Sequence, residues 1–255
     1  MRIVLLIIIG LLLVTGLATY IVLTKPHIFS EGLMKKVNFP EKFQWETEEK
    51  IEGDVGGKEE LYWNLFSFNY LNVKKKIIRN GDKLKICEIL PDMSESCSFW
   101  IGNKIYKCEK IEEVWSCKFV GMSEGIEKTI EKVNKIPETF LEKYVEKIPI
   151  TNTWEKEVSK RNCVCHKMDF TNVVNSLLKV FEITGNQVKY EKYLVTECVD
   201  KEFSLVLETI AEISVKLIEE GKESLVTSKV TASTTKFILE APPDTEFELP
   251  STVSE

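Results

Sequence analysis

The chain has 255 residues, with 34 Lys and Arg against 40 Asp and Glu and a net charge of −6. A nucleic-acid-binding domain presents a basic surface, so this charge balance argues against nucleic acid as a partner. The length fits an N-terminal segment followed by one large domain or two small ones.

The N-terminal segment is apolar and uncharged over residues 3–23, between Arg2 and Lys25. As a helix it would be about 31 Å long, enough to cross the hydrocarbon core of a bilayer. A secretory signal has a shorter apolar core, about 7–15 residues, before its cleavage site. A cleaved signal and a buried core helix are the alternatives, but the length favours an uncleaved transmembrane anchor over residues 1–24. The rest of the chain is then expected to be extracytoplasmic, held at the cell membrane by a single pass.

Residues 25–42 mix Pro, Gly and charge without a period, and they predict a stalk. One domain is expected over residues 43–250, followed by a disordered tail at 251–255. The aromatic-rich stretch 61–73 predicts a strand with two apolar faces, so neither face can meet bulk water along its whole length. Its candidate ligand contacts are Trp63, Leu65, Phe66, Phe68 and Tyr70.

Three hairpins are predicted in the middle of the chain, between residues 75 and 120. Asn80-Gly81 is a preferred dipeptide for a tight hairpin turn, because both central residues need positive φ. Two further turns are expected near Gly102 and near Glu112-Glu113. This region is therefore expected to be a meander of short antiparallel strands.

One clear helical period follows, over residues 123–148. Ser123 is a candidate N-cap, and Pro137 should divide the run into two pieces. An amphipathic helix of this kind is expected to cover one face of a sheet, with a movable lid as the alternative. Its candidate ligand contacts are Ile126, Ile130, Phe140, Leu141 and Tyr144.

The chain then returns to strands. Residues 154–170 predict one strand, and residues 170–183 are ambiguous between strand and short helix, with the helix favoured. Further strand-like segments lie at 189–200, 203–217 and 224–239. An apolar clip formed by Phe247 and Leu249 is expected to close the domain.

The sequence offers little for catalysis or for a cofactor. Its two histidines are His27, in the predicted stalk, and His166. One histidine in the domain cannot convincingly complete a Ser-His-Asp or Cys-His constellation, and no glycine-rich phosphate loop is present. We therefore expect a protein that is not an enzyme and that needs no cofactor.

Seven cysteines in a domain outside the cytosol are expected to form disulfides, because that environment is oxidising. Short spacing within predicted hairpins favours two local cross-links. The expected pairs are Cys87 with Cys97, and Cys108 with Cys117. Each short loop closed in this way should add roughly 2–3 kcal/mol of stability through chain entropy.

The other three cysteines allow one further disulfide. Cys198 is expected to pair with Cys165 or with Cys163, which leaves one thiol free or linked to another chain. A thiol-redox or metal site in the Cys163–His166 segment is the alternative. On a strand, however, His166 would point to the opposite face from both cysteines, so the three cannot easily hold one ion.

Three segments resemble a known superfamily. They are KIYKCEKIEEVWSC at 104–117, ECVDKEFSLVLETI at 197–210 and TKFILEAPPDTEFELP at 235–250. Their order is similar to that in the lipoprotein-carrier-like extracytoplasmic domains of the LolA and LppX type, and the paired cysteines resemble membrane-anchored archaeal members. The resemblance implies a strongly curved antiparallel sheet, an open half-barrel, with helices on the concave side around an apolar cavity. It implies no catalytic residue.

The expected fold class is therefore α+β and mainly β, with a strongly curved antiparallel sheet, helices covering its concave face, and one N-terminal transmembrane helix. The expected function is a membrane-anchored binding protein that holds an apolar ligand, a lipid or a lipidated protein, between sheet and helices. The alternatives are a structural or protein-interaction ectodomain with a filled core, and the thiol-redox or metal-binding protein. The sequence does not indicate the oligomeric state.

Overall fold

The computed structural model describes residues 39–54, 73–90, 92–126, 128, 149–180, 188–219, 222–250 and 253–254. The first strands are β1 Lys42–Asp54, β2 Lys74–Asn80, β3 Lys83–Ile89, β4 Glu95–Ile101, β5 Lys104–Ile111 and β6 Val114–Met122. They are followed by β7 Ile150–Val158, β8 Arg161–Asp169, helix α1 Thr171–Val180, β9 Val188–Asp200, β10 Val206–Glu219 and β11 Lys222–Ile238. A 3-10 helix at Asp244–Phe247 and the short β12 Val253–Ser254 complete the described elements.

These strands form one open sheet in the order β12-β6-β5-β4-β3-β2-β1-β11-β10-β9-β8-β7. Strand β1 joins the two halves, since it pairs antiparallel with β2 on one side and with β11 on the other. The short β12 pairs parallel with β6, Val253 opposite Cys117 and Ser254 opposite Lys118. These two residues are therefore paired where the sequence predicts a disordered tail.

The three hairpins predicted in the middle of the chain are confirmed as β2–β3, β4–β5 and β5–β6. Gly81 turns the first with a φ of 60°, a conformation that suits glycine because it has no Cβ. Glu112 and Glu113 turn the third with φ of 49° and 66°. Because each turn joins adjacent strands, local sequence was sufficient to locate it.

The single strand predicted over residues 154–170 is wrong, because β7 and β8 form a hairpin there. Ser159 and Lys160 make the turn with φ of 48° and 63°. A left-handed conformation costs a non-glycine residue roughly 1–2 kcal/mol, so such turns usually contain glycine. Because Ser159 and Lys160 take this conformation without a glycine, the sequence alone gives no indication of the turn. The hydrogen bond that Ser159 Oγ donates to the Thr234 carbonyl, at 2.6 Å, helps to hold the turn.

Helix α1 confirms the short helix favoured within residues 170–183. It is held against β9 by two hydrogen bonds of the Asn175 side chain, which donates to the Tyr190 carbonyl at 2.8 Å and accepts from its N–H at 2.9 Å. Thr171 Oγ1 also accepts from the Tyr193 N–H at 2.9 Å. The helix therefore covers one end of β9.

The fold class predicted from the sequence is wrong in its helical part. The described residues are nearly all antiparallel strand, and among them no set of helices covers the sheet face, since α1 packs chiefly against β9. The one α-helix among the described residues, α1, has 10 residues, about 15 Å, which is too short to cover the face of a sheet of this many strands. None of the described helices is long and apolar enough to cross a membrane. The segment 3–23 and most of the predicted helix at 123–148 lie outside the described residues.

Three disulfides link directly opposite residues of neighbouring strands. They are Cys87–Cys97, Cys108–Cys117 and Cys165–Cys198, and Cys163 is a buried free thiol. Since Cys97 is also opposite Cys108, the first two disulfides form one row across β3, β4, β5 and β6. Leu249 packs against this row and Phe247 is buried nearby, so the apolar clip predicted at the end of the domain is present.

Candidate ligand-binding face

Of the ten candidate ligand contacts, the structure describes Ile126, which is buried. The other nine lie outside the described residues and stay predictions: Trp63, Leu65, Phe66, Phe68, Tyr70, Ile130, Phe140, Leu141 and Tyr144.

The Cys163–His166 segment is divided between the two faces of the sheet, as the strand period predicts. Cys163 and Cys165 lie in one apolar cluster with Val158 and Leu207. The His166 ring instead lies on the other side, with Nδ1 3.1 Å from Thr153 Oγ1. Burial raises the pKa of the Cys163 thiol to about 11, so it stays protonated and is a poor nucleophile.

A metal site finds no better support in the described part of the chain. The one group of candidate ligand atoms there combines Glu95 with Cys87 and Cys97. Both sulfurs belong to a disulfide and so cannot act as thiolate ligands. The redox and metal alternatives therefore have no geometry to build on in these ranges.

Strands β8, β9 and β10 have two faces of different character. The Cys198 face carries the Cys165–Cys198 disulfide and, further along, an ion-pair group in which Glu212 bonds both Lys167, at 3.2 Å, and Lys192. The opposite side, which we call the Glu197 face, also includes β11. Its buried apolar and aromatic side chains include Met168, Tyr190, Tyr193, Val195, Ile213, Val215 and Val226.

Strand register arranges the Glu197 face in rows that run across the strands. One row is apolar and contains Met168, Val195, Ala211 and Val230. The next, which we call the polar row, contains Thr153, His166, Glu197 and Thr209. Beyond it, Val164 is opposite Val199, so on β8 and β9 the polar row lies between apolar residues, while Glu155 takes the edge position opposite Val164.

Glu197 is the unusual member of the polar row. It is 2% exposed, and its Oε1 atom has no hydrogen-bond partner. Burial away from water disfavours the charged carboxylate and raises the pKa of Glu197 to about 7. His166 is 7% exposed, and burial lowers its pKa. Two buried titratable groups on adjacent strands are therefore held towards their uncharged forms.

Ser228 adds a second buried polar atom without a partner. Its Oγ has no hydrogen-bond partner, and it lies on the Glu197 face in the row that contains Tyr193 and Ile213. Sequence reasoning missed Glu197, His166 and Ser228 as members of one face. The signal for Glu197 was available, since it interrupts an alternating apolar series, Tyr193, Val195 and Val199.

Comparisons with known proteins give little more. No protein-family model matches the chain, and no curated protein matches it. Among solved structures, the chain is similar to the crystal structure of Mycobacterium tuberculosis lipoprotein LppX, with a TM-score of 0.34 and 11% sequence identity. The match covers 76% of this chain and 85% of that chain. At this TM-score the likeness assigns neither a family nor a ligand.

Proposed function

We propose that the protein is a binding protein that works outside the cytosol and holds an apolar ligand against the Glu197 face. The ligand would be a lipid or the lipid part of a lipidated protein. The observation that carries the proposal is the pair of buried polar atoms on this apolar face, Glu197 Oε1 and Ser228 Oγ, that have no hydrogen-bond partner.

A filled core normally satisfies its buried polar groups, because each unpaired one costs about 1–3 kcal/mol. Two such atoms on one side of one sheet are therefore costly if nothing binds there. A ligand with an apolar body and a hydrogen-bonding group would cover the apolar rows and also give these polar atoms hydrogen-bond partners. This supports ligand binding over a structural ectodomain with a filled core.

The extent of the face also suits a lipid. Strands β9, β10 and β11 have 13, 14 and 17 residues, which corresponds to roughly 40–55 Å at the rise of an extended strand, and α1 covers this face at one end of β9. Ala211 and Val230, in the apolar row next to Glu197, are only partly buried. An acyl chain lying along the strands could remove their remaining surface from water.

Disulfides support the proposed compartment. Three of them, with a single buried thiol beside Cys165–Cys198, are typical of proteins that fold on the oxidising side of a membrane. Attachment to the membrane through residues 3–23 stays a prediction from the sequence.

Binding of a neutral fluorescent lipid, the methyl ester of cis-parinaric acid, tests the proposal on full-length protein kept in solution by an amphipathic polymer. We expect saturable binding. The variant Ala211→Trp fills the Glu197 face next to Glu197 and should weaken binding roughly tenfold or more, since the indole takes the ligand's volume.

The matched control is Ile210→Trp, at the adjacent position on β10, because neighbouring residues of a strand point to opposite faces. Ile210 is also half-buried, so the added bulk is comparable. The control should leave binding within about twofold, as expected for a change away from the ligand. Absence of saturable binding, or equal loss in both folded variants, would contradict the proposal.

A further inference from the structure

The polar row forms a continuous strip across the edge of the sheet. Thr153 of the edge strand β7 is opposite His166, and Glu197 lies between His166 and Thr209 on its two neighbouring strands. Directly opposite residues have Cβ atoms about 4.5–5.5 Å apart. The strip therefore spans roughly 15 Å, the width of three strand spacings.

Access to the strip is from the edge of the sheet. Thr153 is exposed, His166 is 7% exposed and Glu197 is 2% exposed, so burial increases from β7 to β9, and Thr209 on β10 is half-buried. The Thr153 hydroxyl fixes the orientation of the His166 ring through the 3.1 Å contact with Nδ1. A polar group of a ligand that enters at the exposed edge would therefore meet hydrogen-bonding side chains all the way to the buried carboxyl group of Glu197.

The strip is suited to an uncharged polar group. An uncharged carboxyl group both donates and accepts hydrogen bonds, and neutral imidazole has one donor and one acceptor nitrogen. Burial favours these neutral forms of Glu197 and His166, through a raised pKa and a lowered pKa respectively. The row contains no Lys or Arg, so a phosphate or carboxylate would find no opposite charge within it. A hydroxyl group matches a strip that offers both donors and acceptors.

We infer that the polar row recognises a hydroxyl group of the ligand, with the unpaired Oε1 of Glu197 as its most deeply buried partner. The ligand class is a neutral lipid that carries a hydroxyl group, with apolar parts lying on the rows to either side. The inference rests on the proposed function, because it specifies what that site selects.

A series of probes with one chain length tests this selection. The probes are hexadecane, hexadecanol, hexadecylamine and palmitate, each delivered from cyclodextrin to compete with the methyl ester of cis-parinaric acid on the full-length protein. We expect hexadecanol to bind roughly tenfold more tightly than hexadecane, as one or two buried hydrogen bonds would provide. Palmitate and hexadecylamine should bind more weakly than hexadecanol, because the row carries uncharged groups.

Two substitutions separate recognition from structure. Glu197→Leu should abolish the preference for hexadecanol, so that hexadecanol and hexadecane bind about equally. The affinity for hexadecane should stay unchanged, since only the hydrogen bond to the hydroxyl group is lost. Glu197→Gln keeps a donor and an acceptor and should retain most of the preference. A merely structural role for Glu197 would change the affinities of both probes together. If the Leu variant does not fold, Thr209→Val serves instead and should lower the preference by roughly threefold.

The outcomes distinguish this inference from the proposed function. Equal affinity for hexadecane and hexadecanol in the unchanged protein would overturn hydroxyl recognition and leave apolar binding standing. Tightest binding of hexadecylamine would also overturn it, because the row would then act as a carboxylate site for cations. If no probe of the series bound, both proposals would fall.

Discussion

Asp200→Ala is expected to lower the free energy of unfolding by about 3–5 kcal/mol, because it leaves the Arg161 guanidinium without its main partner. The Asp200 side chain is 1% exposed and accepts hydrogen bonds from Arg161 Nε at 2.8 Å and Nη2 at 3.2 Å. It also accepts the backbone N–H groups of Glu202 at 3.0 Å and Phe203 at 2.7 Å. One carboxylate therefore holds the start of β8 to the connection between β9 and β10.

Arg161 extends this connection to β11. Its guanidinium carbon lies 5.1 Å from the ring centre of Phe203 and 5.8 Å from that of Phe237. The hydrogen bonds to Asp200 raise the pKa of Arg161, so the group remains charged at every pH at which the protein folds. Loss of Asp200 would leave this largely buried charge with the exposed carboxylate of Glu202, 2.7 Å from Nη2, as its remaining ion-pair partner, and would also leave two backbone N–H groups without their acceptor.

Urea unfolding at neutral pH measures the effect. The control is Lys201→Ala, at the next residue along the chain. Lys201 forms an ion pair with Glu155, and the two side chains are 41% and 74% exposed, respectively. An exposed pair of this kind contributes at most about 1 kcal/mol. Equal, small losses in the two variants would mean that the Arg161–Asp200 pair does not hold this end of the sheet.

Glu197→Gln is expected to change how stability depends on pH. In the folded protein burial raises the pKa of Glu197 from its ordinary 4.5 to about 7. Between pH 4.5 and about pH 7 the Glu197 carboxyl group is therefore mostly protonated in the folded state and mostly ionised in the unfolded state. Stability from this group is fully present below pH 4.5 and is lost as the pH rises to about 7, by roughly 3 kcal/mol in total. Glutamine does not titrate, so the variant lacks this loss.

Other groups act in the opposite direction and must be subtracted. Burial lowers the pKa of His166, and ion pairing lowers the pKa of Glu212, so both stabilise the fold less as the pH falls. The informative quantity is the difference in unfolding free energy between Glu197→Gln and the unchanged protein, measured by urea unfolding at pH 5 and pH 8. It should shift in favour of the variant by roughly 3 kcal/mol as the pH rises. Parallel pH profiles would show that Glu197 is not held uncharged. Glu212→Gln, as control, should show almost no shift between pH 5 and pH 8, because a carboxyl group with a lowered pKa changes stability mainly below its ordinary pKa of 4.5.

Much of the strand pattern was predictable from the sequence because its causes are local. Asn80-Gly81 defines a turn by itself, and the spacing of Cys87 and Cys97 indicates a cross-link within one hairpin. The structure contains both, and it resolves the choice left open for Cys198 in favour of Cys165. These features need only neighbouring strands in the chain.

The candidate site was not predictable in the same way, because the polar row depends on the register of four strands. Because the turn at Ser159 and Lys160 was not predicted, β7 was not recognised as a separate strand. The position of Thr153 opposite His166 therefore could not be predicted either. Thr209 joins the row only through a pairing that includes an irregularity near the start of β10. Sequence showed Glu197 as one acid among 40 acidic residues, and its burial became visible only in the folded sheet.

Native mass spectrometry of the protein, purified without detergent in an amphipathic polymer, tests ligand binding most directly. We expect a folded species heavier than the polypeptide with its three disulfides, and a neutral, hydroxyl-bearing lipid in the organic extract. A bare polypeptide mass together with a lipid-free extract, in protein that also fails to take up added hexadecanol, would contradict ligand binding on the Glu197 face.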